Sequence, residues 1–107
     1  MITVTSVRLP NVAVGEEFTL ELLDCMVALR AGIDPGGGVP TVWFQHALSL
    51  EKTPTETVER RFVVVEHTLG QTAHKDVGGR VVVHLGMWWA AASTYHLFEI
   101  FPRNPEP

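Results

Sequence analysis

A chain of 107 residues with 46% hydrophobic content suits one domain with a single modest core. Its net charge of −4 argues against non-specific nucleic-acid binding and against docking on anionic membrane, both of which need a basic face. The one cysteine, Cys25, excludes an intrachain disulfide and favours a reducing, cytoplasmic setting.

The N-terminus "MITVTSVRLP" has neither the basic region nor the continuous apolar run of a signal peptide. No stretch reaches the roughly 18 apolar residues of a spanning helix. Residues 2–9 are rich in β-branched side chains and read as a strand, broken by Pro10-Asn11. In residues 16–22, Phe18, Leu20 and Leu22 alternate with Glu17, Thr19 and Glu21, as in a half-buried strand. Residues 25–33 follow as another strand. The same segment carries a competing signal. Phe18, Leu22, Met26 and Leu29 stand near helical spacing and Gly32 suits a helix end, so one helix over 16–31 is the alternative.

"DPGGGVP" (34–40) is a turn, because proline presets φ and the glycines permit positive φ. It lacks the Lys-Ser/Thr and the following helix of a phosphate-cradling loop. The strand at 41–50 sends Val42, Phe44 and His46 to one face and Trp43, Gln45 and Ala47 to the other. A polar turn at 51–57 precedes a strand at 58–68 whose Val63-Val64-Val65 run is apolar on both faces. The loop 69–79 leads to "RVVVHLGMWW" (80–89), again apolar on both faces. A short link, 90–93, reaches the last strand, 94–101. Residues 102–107, with three prolines, are expected to form a disordered tail after a single β-rich domain spanning 1–101.

This spacing of strands and turns predicts a mainly β fold: a small antiparallel sandwich, or a curled sheet or partial barrel. A helix at 16–31 would make it α+β. Strands apolar on both faces need a third layer, supplied by that helix or by a second copy of the chain. Adjacent tryptophans on a strand point to opposite faces. Of Trp88 and Trp89, one is expected in the core and the other at a homo-oligomer interface.

The chemistry-bearing residues are few. Histidines stand at 46, 67, 74, 84 and 96, and His84 and His96 are placed to face each other across a hairpin. None has the tight spacing of a metal motif, so neither a metal nor another cofactor is expected. No serine sits in a nucleophile turn, and Cys25 beside Met26 reads as a small buried hydrophobe. An enzyme is not expected. Arg60 and Arg61 are adjacent on a strand and splay to its two faces, and Arg80 opens the next strong strand. Arginine forks suit phosphate and carboxylate. The candidate ligand site is therefore a convergence of Arg60, Arg61, Arg80, Trp43 and His84.

The motifs Val39-Pro40-x-x-Trp43, Phe62-x-Val64, Gly79-x-Val81 and His96-Leu97-Phe98-Glu99 together resemble a small β-rich domain of unknown function common in phages and prophages. The resemblance spans about residues 18–100. It departs in the loop, where "EHTLGQTAH" stands in place of Gly-Thr-Gly-His. The likeness implies a small non-catalytic phage accessory protein in the host cytosol. A protein of this kind is expected here to bind a host defence factor or a small anionic, nucleotide-like ligand, or alternatively to serve as a virion accessory part.

Overall fold

The computed structural model describes residues 2–23, 25–47 and 57–102; the polar turn read at 51–57 and the tail beyond 102 lie almost wholly outside them. Among the described residues seven strands form one sheet: β1 (Ile2–Arg8), β2 (Phe18–Leu23), β3 (Val27–Ile33), β4 (Pro40–Ala47), β5 (Thr57–Thr68), β6 (Val81–Ala90) and β7 (Ser93–Phe101). Their order is β1-β4-β3-β6-β7-β5-β2, curled into a half-barrel. The fold is mainly β, in the curled-sheet form. Residues 16–31 do not make a helix: Phe18–Leu23 and Val27–Ile33 are separate strands. Period-two alternation prevails there because Phe18 and Leu22, together with the partly buried Leu20, line one face of β2.

The sheet divides into two leaves. The first, β1-β4-β3, and the second, β6-β7-β5-β2, are antiparallel throughout. They are joined by a parallel contact of β3 with β6 at Ala31 and Gly86. This makes the sheet mixed rather than purely antiparallel. Both joining strands carry a bulge beside the junction, between Ala28 and Arg30 in β3 and between His84 and Gly86 in β6. Bulges bend a strand and increase its twist. Two of them flanking one junction account for the leaves folding toward each other.

The concave face holds the core. Val42 and Phe44 of the first leaf are fully buried with Phe62 and Leu97 of the second, alongside Phe18, Leu22, Val64 and Trp88. The alternation read for residues 41–50 is realised: Val42, Phe44 and His46 are all buried. Nδ1 of His46 has no hydrogen-bond partner among the described residues. Phe18 stacks on Phe62, with centroids 5.8 Å apart, and Trp88 stacks on Tyr95 at 6.1 Å. Leu9 and Val12 of the β1–β2 connection pack against the same core, and Gly15 N–H bonds to the Val64 carbonyl at 2.8 Å.

The convex face explains the doubly apolar run of β5, whereas β6 leaves Val81, Val82 and Val83 exposed. Val63 points away from the concave core, yet it is buried. Its cover comes from the chain itself. The connection between β5 and β6 crosses that face. Its Ala73, Lys75 and Val77 line, with Val63, Val65, Val82 and Phe98, a small cavity of about 170 Å³. The loop is pinned by local bonds: Gln71 N–H to Thr68 O, His67 Nε2 to Gln71 O, Gly78 N–H to Asp76 Oδ1 and Arg80 Nε to Val77 O. A polar-looking loop therefore supplies the third layer that the valine run requires.

β6 and β7 are joined by the two-residue turn Ala91-Ala92, in which Ala91 has φ 55°. Positive φ at the first central position alone is the type II′ pattern, whose twist matches that of the flanking strands.

Candidate anion-binding cleft

A cleft of about 580 Å³ opens where β5 and β7 separate beyond the Arg61–Ile100 pair. Arg60, Arg61 and Arg80 all line it, with Thr19, Glu59 and Glu99. Adjacent arginines on β5 do splay to two faces, and their partners differ accordingly.

Arg60 turns to the concave side. Its guanidinium donates from Nε to Glu99 Oε2 at 2.6 Å and from Nη2 to Oε1 at 2.7 Å, a two-pronged pair. Nη1 donates to the Met26 carbonyl, and Cζ lies 5.4 Å from the Phe44 ring centroid. Glu99 is only 3% exposed and Arg60 16%. The pair closes one end of the apolar interior, and a buried carboxylate there requires this cation.

Arg61 and Arg80 turn to the outer side, where Glu17 collects them. Arg80 donates to both Glu17 oxygens, at 2.8 and 2.7 Å. Arg61 Nη1 stands 3.6 Å from Glu17 Oε1, and Lys75 Nζ stands 3.8 Å from Oε2. Hydrogen bonding from Arg80 and the positive charges of Arg80, Lys75 and Arg61 hold the Glu17 carboxyl below its ordinary range, against a smaller opposing effect of burial. Arg80 is raised in turn, first by its bond to Glu17. Three cations thus surround one carboxylate. Arg61 is 49% exposed, and its contact with Glu17 is longer than a hydrogen bond. Of the three arginines lining the cleft, it is the one without a hydrogen-bonded carboxylate among the described residues.

Trp43 and His84 do not join this cleft. Trp43 lies on the outer side of β4, under Arg30 at 5.6 Å, beside Val4, Leu29 and Pro35. His84 bonds to His96 across the β6–β7 hairpin, as their spacing predicts. Burial, reinforced by the charges of His84 and His67, holds His96 below the ordinary histidine range. Trp88 is 7% exposed and belongs to the core, whereas Trp89 is 72% exposed.

Glu17 and Lys75 complete the outer cluster and were not marked by the sequence. Glu17 reads only as a polar position on an alternating strand, and Lys75 as a loop charge. Glu99 stands inside the closing motif, but nothing in the chain points it to Arg60, 39 residues away. Cys25 is free and partly buried. Glu66 accepts a bond from Ser93 Oγ at 2.8 Å, while the neighbouring His67 bonds Gln71. Their different partners leave no acid–base pair between them. No family model, curated protein or solved structure matches the chain.

Proposed function

We propose that the protein is a small non-catalytic binding protein whose ligand is a compact anion of the phosphate or nucleotide class, taken at the mouth of the Arg60–Arg61–Arg80 cleft. The observation that carries this reading is the cluster of Arg61, Lys75 and Arg80 around the single carboxylate of Glu17, with Arg61 half exposed. A phosphate can take the unused donors of Arg61 without breaking the Arg80–Glu17 pair. Arg60 acts differently: committed to Glu99, it shapes the wall of the cleft rather than capturing ligand. The motif likeness to phage and prophage domains supports placing this role in an infected host's cytosol, where the bound species is a small anionic ligand or a host defence factor.

Titration calorimetry with inorganic pyrophosphate and with ATP at low salt tests the reading. Wild type is expected to bind, and Arg61→Ala to bind about tenfold or more weakly, the scale of one charge-assisted hydrogen bond. Absence of binding to either probe, or an unchanged affinity in Arg61→Ala, sinks the proposal.

A second reading, self-association, is favoured by Trp89. An exposed tryptophan with Met87 and Val82 also exposed on the same strand is the kind of apolar surface that protein partners cover. Light scattering is expected to show wild type as an oligomer and Trp89→Ala as a smaller species. A monomeric wild type, or an unchanged mass in the variant, excludes this interface.

A further inference from the structure

The outer face of the β6–β7 hairpin carries a side-chain pair that neither the arginine cleft nor the core uses. His84 pairs in register with Phe98, and His96 with Met87 and Val65, so the two histidines are diagonal neighbours on one face. His84 Nε2 stands 3.0 Å from His96 Nδ1, with ring centroids 5.2 Å apart. Phe98 packs against both rings, at 5.1 and 6.4 Å, and His67 lies edge-on to His96 at 6.2 Å. The rings are thus walled on their apolar side, while His84 faces solvent.

We propose that His84 and His96 form a two-imidazole site for a tetragonal divalent transition metal, copper(II) above all. In the absence of metal one N–H joins the two nitrogens. With metal, the two rings tilt so that the lone pairs of both nitrogens converge on an ion beside the N···N line, and each ring carries its proton on the other nitrogen, so each imidazole stays neutral. The separation decides the metal class. Two nitrogens 3.0 Å apart, each about 2.0–2.1 Å from one ion, subtend roughly 95° at it. That is the angle between adjacent ligands of a square or tetragonal site and falls well short of the tetrahedral angle preferred by zinc. Imidazole nitrogen also binds copper(II) more tightly than the other divalent first-row ions. No group of three or more ligands is assembled among the described residues. His67 holds its Nε2 on the Gln71 carbonyl at 2.7 Å and stays outside the pair. The remaining coordination positions are therefore open to water.

Copper(II) sulfate titrated into the purified full chain at neutral pH, in a non-coordinating buffer, tests this. Calorimetry is expected to give one strong equivalent, and electron paramagnetic resonance a tetragonal signal split by two nitrogens. His84→Ala and His96→Ala are each expected to weaken binding at least about tenfold and remove the two-nitrogen splitting. His96→Gln serves as the alternative if the alanine variant fails to fold. His74→Ala, on an exposed loop position, is expected to bind as wild type. No binding, binding unchanged by either hairpin variant, or loss in His74→Ala overturns the site.

Discussion

Gly86→Ala is expected to cost about 3 kcal/mol or more, at the upper end of what overpacking causes, or to prevent folding. A Cβ built on Gly86 would lie 2.2 Å from the Ala31 carbonyl oxygen and 2.7 Å from the Ala31 nitrogen. These are backbone atoms of the adjoining strand, so no side-chain rotation relieves the clash. The only relief is to separate β3 from β6, and Ala31–Gly86 is where the two leaves are joined. Loss of the junction would also uncover Val42 and Phe44, which are buried because the leaves face each other. Urea unfolding followed by tryptophan fluorescence measures the effect. Gly36→Ala is the control: its added Cβ meets only Asp34 Oδ1 at 3.6 Å, and it should remain within about 0.5 kcal/mol of wild type. Equal midpoints for the two variants would mean that the leaves are not held at Gly86.

The second large effect concerns the buried pair. Arg60→Ala is expected to destabilise by about 3–5 kcal/mol, because it leaves the Glu99 carboxylate without its cation in an apolar enclosure. Glu99 is 3% exposed, and the Arg60 side chain stands with it at the wall of the cleft. Glu99→Ala should cost less. The Arg60 side chain is 16% exposed, and its long stem lets the guanidinium turn outward once released. Replacing both, as Arg60→Met with Glu99→Leu, should recover most of the loss, since desolvating the two charges offsets much of their attraction. Denaturant midpoints of wild type and the three variants measure these differences. A double variant as unstable as Arg60→Ala would show that the pair organises the fold beyond charge neutralisation. The Phe44 contact of Arg60 is the place to look for that contribution.

Both predictions rest on contacts between residues far apart in the chain, and that separation governs what could be read beforehand. The strands were legible wherever one face is wet, since burial imposes a two-residue period: Val42, Phe44 and His46, or Phe18 and Leu22. The Val63–Val65 run was legible as doubly buried, but its cover was not. Loop 69–79 looks polar, and only its path across β5 and β7 turns Ala73 and Val77 into a third layer. The arginines announced themselves as a locus through their charge. Which of them remains available depends on Glu17 and Glu99, whose positions are set by the pairing of β2 with β5 and of β7 with β5.

By itself, then, the sequence determined a mainly β fold, most strand positions with 16–31 left open to a helix, the face of β4 that enters the core, and a meeting of His84 with His96 across a hairpin. Those features follow from local alternation and from one short hairpin, where chain neighbours dictate geometry. Tertiary structure alone decided the parallel junction at Gly86, the burial of Trp88 rather than Trp89, the partners that Arg60 and Arg61 meet on their two faces, and the removal of Trp43 from the arginine cleft. Each of these depends on which strand lies beside which. Strand order is chosen by packing energies summed over the whole sheet, and no local stretch of sequence carries them.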